Sequence, residues 1–196
     1  MSVNSGKSFR EVMPRLRLLA AVVMAVGTMA LLPGAPLAQD GSAESLRMQL
    51  RAIHGFDRAA LDAINANADT LLMQFAADTA ESAMVRGQAI RGLALYDSAE
   101  VLAFLSDGAE RATPVGLRAL YITSLGPFAE RAPEQLMPLL ERLLADPEVQ
   151  VRLGAANLAA RMAPVARPGV DNLLGQALRL ERDPHVRRAL QQTLVR

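Results

Sequence analysis

The residues best suited to polar chemistry in this chain are arginines and aspartates that recur at a regular interval. Arg86, Arg152 and Arg187 each follow a valine, and Arg188 extends the last of these positions. An aspartate precedes each recurrence: Asp78, Asp107, Asp146 and Asp183. Because a guanidinium can hold a carboxylate at two points, these residues could line a binding face or tie neighbouring segments together. The spacing follows a structural repeat, so we expect the second role.

Motifs for metal binding and catalysis are scarce. His54 and His185 are the only histidines, and the chain has no Cys, so no metal site is predicted. The only Lys is Lys7, whereas a phosphate-binding loop needs a lysine of its own. The GxSxG and Ser-x-x-Lys arrangements of serine nucleophiles are missing after residue 38. Carboxylates are plentiful, but they lie where helix caps and solvated surfaces are expected. We therefore predict no catalytic residue, no metal and no cofactor.

The charge balance argues against a nucleic-acid partner. The chain has 21 basic and 20 acidic residues, of which residues 1–38 hold four and one. The remainder therefore has 17 basic and 19 acidic residues, a net charge of −2, and no basic tract. Such a chain is not expected to bind nucleic acid nonspecifically. With no Cys and no Trp, its core must be built by packing Leu, Ala, Val and Met.

Residues 1–38 have the pattern of a signal peptide. An uncharged run covers residues 18–32 and ends at Pro33-Gly34. Its length fits a signal peptide and is short for a membrane span. Four basic residues precede it: Lys7, Arg10, Arg15 and Arg17. We predict a periplasmic or secreted protein, with an uncleaved N-terminal anchor as the alternative and the only expected contact with a membrane.

The clearest structural unit covers residues 136–158. Its first half places leucines on one side of a helix: Leu136, Leu140, Leu143 and Leu144. Asp146-Pro147 interrupts the pattern, and the aspartate is predicted to cap the helix that follows. The second helix has its own apolar stripe: Val151, Ala155, Leu158 and Ala159. Each helix can bury only one stripe, so the pair needs neighbours on both sides.

Weaker copies of this unit occur along the chain. Matching first-helix leucines are spaced by 30, 34 and 37 residues: Leu72, Leu102, Leu136 and Leu173. Matching second-helix valines are spaced by 30, 36 and 35 residues: Val85, Val115, Val151 and Val186. Periods in this range indicate a helical solenoid. We predict an all-α, right-handed α-solenoid of about four helix pairs over residues 68–196, preceded by a linker and an N-terminal helical cap over residues 39–67.

At these residues the chain resembles the HEAT repeat family, in its short bacterial HEAT-like form. That pattern runs from a leucine-rich helix with an internal Pro to Asp-Pro, then Val-Arg, then Ala one turn later. The best unit fits it at ten positions: Leu136, Pro138, Leu139, Leu140, Leu143, Asp146, Pro147, Val151, Arg152 and Ala155. The second unit departs from the pattern, because Gly116 stands where Arg is expected and Arg118 follows two places later.

The resemblance implies a protein-binding scaffold, although some bacterial HEAT-like proteins resemble lyases that attach bilin chromophores. We predict a noncatalytic scaffold or accessory subunit of the cell envelope, not an enzyme, that binds another protein along its second helices. The predicted binding residues lie on those helices: Arg91, Arg118, Asn157 and Arg161. A HEAT-like lyase or enzyme accessory protein is the alternative. A third possibility is a structural bundle that closes on itself as a dimer.

Overall fold

A computed structural model describes residues 41–51, 55 and 57–195 of the chain. The predicted signal peptide or anchor over residues 1–38 lies outside the described residues, and so does His54. Among the helices that are described, none combines the length and apolar character needed to cross a membrane.

The prediction of an all-α fold is confirmed, since the described residues form helices and their connections without a strand. Ten helices follow one another in this part of the chain: α1 (Gly41–Arg51), α2 (Arg58–Ile64), α3 (Ala68–Ala77), α4 (Ala83–Leu93), α5 (Ala99–Arg111), α6 (Val115–Ser124), α7 (Gly126–Arg131), α8 (Pro133–Leu144), α9 (Val149–Leu180) and α10 (Pro184–Val195).

The helices stack as pairs in chain order. α3 packs against α4, α5 against α6, α8 against α9, and α9 against α10. The second helices α4, α6 and α9 also pack side by side, and α1 packs against α4 at the start of that layer. The short helix α7 lies between α6 and α8 and contacts α9. The predicted α-solenoid of about four helix pairs with an N-terminal helical cap is therefore confirmed.

Helix α9 belongs to two pairs because it is kinked. It is 32 residues long, and Ala166 within it has non-helical φ and ψ angles of −131° and 34°. Pro168 lacks the N–H that the carbonyl group of Pro164 would accept, and its ring clashes with that carbonyl, so the chain bends here. Residues 149–165 form the second helix of one pair, and residues 167–180 form the first helix of the next. Leu173, which the repeat pattern assigned to the last first helix, lies within this second segment.

The aspartates of the repeat pattern are not equivalent in the structure. Asp146 does not cap α9: Glu148 is the N-cap residue, and its N–H donates to Asp146 Oδ1 at 2.9 Å. Asp107 lies inside α5, one turn before its end, where its carboxylate pairs with Arg111 at 3.1 Å. Asp183 does accept hydrogen bonds from the first N–H groups of α10, as a capping residue would. The short Asp side chain serves each local turn differently, which spacing alone does not reveal.

The core runs along the interface between the two layers, and Val151 lies fully buried within it. Replacing Val151 with Asp puts an unpaired charge between helix pairs, so we expect a loss of about 4 kcal/mol or more in the free energy of unfolding. Thermal denaturation followed by circular dichroism measures it. The matched control is Val149→Asp in the same helix, where the side chain is 39% exposed and an acid suits the helix N-terminus. Equal melting of the two variants would show that the proposed register is wrong.

Candidate functional site

Three arginines form a row of ion pairs along the edge where first helices turn into second helices. We call this row the hairpin ladder. In each pair the acid lies in the next hairpin turn, 34, 28 or 29 residues further along the chain. The three pairs are Arg47 with Glu81, Arg118 with Asp146, and Arg152 with Glu181. The ladder therefore ties α1 to the turn before α4, α6 to the turn before α9, and α9 to the turn before α10.

The pair between Arg152 and Glu181 is the most buried of these, with side chains 17% and 4% exposed. Arg152 donates from Nε and Nη2 to the two oxygens of Glu181, at 2.7 and 3.1 Å. Glu181 also accepts the backbone N–H groups of Arg182 and Asp183, both at 2.8 Å. The hydrogen bond from Arg152, supported by these N–H groups, holds the pKa of Glu181 below its usual range despite burial. The same bond raises the pKa of Arg152.

Arginines along the same edge also form hydrogen bonds with the ends of the first helices. The last carbonyl groups of a helix have no partner within it. Each second helix supplies an arginine that donates to such a carbonyl, or to one in the turn just beyond it: Arg86 to Ala76 at 3.2 Å, Arg118 to Ala109 at 3.0 Å, Arg152 to Asp146 at 2.8 Å, and Arg187 to Leu178 at 3.1 Å. Arg118 and Arg152 thus close their own hairpins and also reach the next one, whereas within the described residues Arg86 and Arg187 only close their own.

Arg118, which the sequence analysis assigned to a binding surface, belongs to this ladder. Its side chain is 14% exposed, and it pairs with both oxygens of Asp146. The reason is a two-residue shift in register. Leu117 is buried and Val115 only partly so, which makes Leu117-Arg118 the counterpart of Val151-Arg152. With that alignment the second unit has its arginine, and the departure at Gly116 disappears.

Three ladder residues were not predicted from the sequence: Arg47, Glu81 and Glu181. The signal for Arg47 was present, because Leu46-Arg47 with Leu50 has the same spacing as Val186-Arg187 with Leu190. Leu46 and Leu50 are fully buried, and α1 packs on α4, so α1 begins the second-helix layer as part of the N-terminal cap. Arg47 also lies 5.0 Å from the centre of the Phe75 ring. Its pKa is raised by the hydrogen bond to Glu81.

The ladder acids differ from those predicted. Asp146 is one of them, but Glu181 takes the place expected for Asp183. Within the described residues, neither Asp78 nor Asp107 pairs with an arginine of a neighbouring unit. Asp78 instead accepts the N–H of Ala80 in its own turn.

A groove of about 440 Å³ opens beside the ladder, between the end of α8 and the second half of α9. Its apolar lining comes from Leu144, Leu173, Ala177 and Leu180, and charged side chains surround it: Glu141, Asp146, Arg152, Glu181 and Arg182. The size is that of a small-molecule site. Arg152 and Glu181 bond to each other, and Asp146 bonds to Arg118. The groove therefore offers a ligand mainly apolar contact.

A second groove, of about 460 Å³, lies between α6 and the first half of α9. Asn157 and Arg161 line it and are exposed, as is Thr123 on the opposite wall. The guanidinium of Arg161 crosses over Gly126, where an added Cβ would come within 2.7 Å of Nη1. The glycine therefore makes room for this side chain. Arg91 is exposed on α4, two helices earlier in the same layer.

Three of the four predicted binding residues therefore lie on the exposed side of the second-helix layer: Arg91, Asn157 and Arg161. We call this side the second-helix face. In the part of the chain that the structure describes, neither Arg91 nor Arg161 has an ion-pair partner. In the same part, no three His, Cys, Asp or Glu side chains are placed to hold a metal ion, and His185 is exposed. Protein binding by the three residues stays a prediction.

No protein-family model matches the chain, and no curated protein matches it. The fold is similar to a solved structure of the complex of CpcE and CpcF of phycocyanin lyase from Nostoc sp. PCC7120. The TM-score is 0.54 at 18% sequence identity, and the match covers 78% of this chain and 98% of that chain. The likeness supports a HEAT-like helical-repeat fold.

This similarity corrects one prediction from the sequence. We predicted that the chain is not an enzyme, because it lacks the common catalytic motifs. The protein with which it shares its fold is part of a lyase, so a missing motif gives no ground for excluding a lyase-related role. The residues that determine a fold differ from those that carry an activity, and a repeat pattern predicts only the fold.

Removing a ladder acid should destabilise the fold strongly. Glu181→Ala leaves the half-buried Arg152 without its carboxylate, and we expect a loss of about 3 kcal/mol in the free energy of unfolding. Urea denaturation at pH 7 measures this loss. Glu141→Ala is the matched control, because Glu141 borders the same groove but is exposed; its effect should stay within about 0.5 kcal/mol. Similar values for both variants would mean that the ladder does not tie the units together.

The contribution of Glu181 should also depend on pH. Its pKa in the folded protein lies below the ordinary value of about 4.3, so the folded state favours the ionised form. The stabilisation is therefore fully present above pH 4.3 and is lost as pH falls through the lower, folded pKa. We expect the difference in unfolding free energy between the wild type and Glu181→Ala to shrink between about pH 5 and pH 2. A difference that stays constant over this range would contradict the assignment.

Proposed function

We propose that this chain is a helical-repeat subunit or accessory protein of a lyase-type enzyme and that it works while bound to a partner protein. The fold similarity supports this proposal, because the related structure is a complex of two proteins of a lyase. The match extends over 98% of that chain, so the common part is a whole repeat domain rather than a shared fragment. Fold similarity alone does not carry activity from one protein to another.

The observation that carries the proposal is the second-helix face. It presents exposed polar side chains beside a groove of about 460 Å³, on a layer of packed helices. Helices packed in this way are already ordered before a partner arrives, so binding costs little conformational entropy. Repeat proteins commonly bind along such extended surfaces.

In this proposal the reacting groups lie where the chain meets its partner or the partner's substrate. Within the described residues, the charged groups nearest the 440 Å³ groove are largely engaged with one another, as in the pair between Arg152 and Glu181. Exposed groups such as Asn157 and Arg161 are free to approach a second protein. Placement in the cell envelope is a further part of the proposal, taken from the pattern over residues 1–38. The mass of the native N-terminus tests it, since an intact Met1 in a cytoplasmic fraction would contradict export.

A photo-crosslinking residue at Asn157 tests the proposal. Asn157 is exposed on the second-helix face, and Gln74, which is also exposed but lies on the first helix α3, serves as the matched control. We expect position 157, and not position 74, to give an adduct with one partner protein in cells. The purified pair should then attach a bilin to a protein acceptor or remove one from it, measured by absorbance of the denatured acceptor. An adduct formed equally at both positions, or a pair without this activity, would contradict the proposal.

A further inference from the structure

We propose that the second-helix face docks an acidic segment of the partner protein, with Arg91 and Arg161 contacting its carboxylates. This inference rests on the proposed function and adds the chemistry of the partner to it. It follows from how charge is distributed between the two layers of the solenoid.

The second helices carry no acidic residue from α4 onward. Neither α4, α6, the first half of α9 nor α10 contains an Asp or a Glu, and all four contain Arg. The first helices are different, since α3, α5 and α8 each have an acid in the first turn: Asp69, Glu100 and Glu134. The described residues as a whole hold 16 basic and 18 acidic residues, so the chain is not basic in general. Charge is separated between the layers.

Helix stability explains only where acids stand at the helix ends. An acid in the first turn interacts favourably with the helix dipole by about 0.3–1 kcal/mol, and the first helices use that preference. No acid occupies the first turn of α4, α6, α9 or α10. In α9 and α10 the acid stands just before the first turn instead, as Glu148 and Asp183, so negative charge stays at the hairpin edge and off the second-helix face. A requirement to keep negative charge off that face accounts for the pattern.

The arginines on the face are placed to hold carboxylates. Arg91 on α4 and Arg161 on α9 are separated by one helix, α6, and packed helices lie about 8–10 Å apart. The two side chains are therefore about 20 Å apart, a distance that about six extended residues cover. Thr123 on α6 has a hydroxyl that donates to the carbonyl of Ala119 and can accept from the backbone of such a segment, and Asn157 on α9 offers an amide. A guanidinium binds a carboxylate with two parallel hydrogen bonds, whereas a lysine binds it through one centre.

The same features disfavour a nucleic acid as the occupant. Double-stranded DNA carries one charge about every 1.7 Å along its axis. The affinity of a protein for DNA depends on many simultaneous contacts with these phosphates. The second-helix face offers about one exposed Arg on each of α4, the first half of α9 and α10, and none on α6. A short acidic protein segment needs only a few such contacts.

The test is binding of a fluorescein-labelled 12-residue peptide of alternating Glu and Ser, followed by fluorescence anisotropy at low salt. We expect the double variant Arg91→Gln/Arg161→Gln to weaken binding at least about tenfold, the loss of about 1.4 kcal/mol. The matched control removes the same charge from the exposed side of the first helices, through Arg111→Gln and Arg179→Gln. It should change the affinity less than about twofold, since distant exposed charges are screened.

Other outcomes would overturn the inference. Equal weakening by both double variants would mean a nonspecific effect of net charge. Tighter binding of a 12-nucleotide single-stranded DNA than of the peptide would identify a nucleic-acid surface. Self-association of the chain that is lost in Arg91→Gln/Arg161→Gln would identify a second copy as the occupant. If the peptide does not bind while position 157 still crosslinks to an active partner, the acidic segment is wrong and the proposed function stands.

Discussion

The structure depends on one arginine in each second helix. That side chain donates to a carbonyl group at or just beyond the end of the preceding first helix and, in the units of Arg118 and Arg152, also reaches an acid of the next hairpin turn. A helix pair buries only its inner stripes, so it has no stability of its own without neighbours. In these units a single guanidinium both closes its own hairpin and fixes the distance of that hairpin to the following one.

This use of arginine divides the surface into two kinds. Along the hairpin edge, guanidinium groups are half-buried and bound, so they hold the fold and have little left to offer a ligand. On the second-helix face, Arg91 and Arg161 are exposed and stand near the far ends of their helices. Both sets are arginines of second helices. Those near the start of a helix stabilise the fold, and those near its end are available for recognition of a partner.

Much of the fold could be predicted from the sequence, because apolar periodicity decides which stripe of each helix is buried. Val85, Val151 and Val186 are all fully buried as expected. The ion pairs of the ladder could not be predicted, because the partner of a long side chain depends on distances in the folded structure and not on spacing in the sequence. Arg118 was misassigned because Val115 was taken as the anchor of α6 instead of Leu117, and Glu181 was missed because Asp183 matched the pattern. The exposure of Asn157 and Arg161 could be predicted, because it follows directly from helical periodicity.

The position of the ladder arginines explains why they need acids nearby. Arg118 and Arg152 each lie at the fourth position of a second helix, close to the positive end of that helix dipole, where a cation is disfavoured by about 0.3–1 kcal/mol. The carbonyl groups of the preceding helix form a negative end and offset part of this cost. The acid of the next unit offsets the rest, and it is a feature of the neighbour rather than of the helix itself. Among the described residues Arg86 has only the carbonyl of Ala76 and no such acid, which makes the junction between α4 and α6 the one held most by apolar packing. There the side chain of Leu120 lies 3.3 Å from where a Cβ on Gly87 would be, so close approach of the two helices replaces the ion pair.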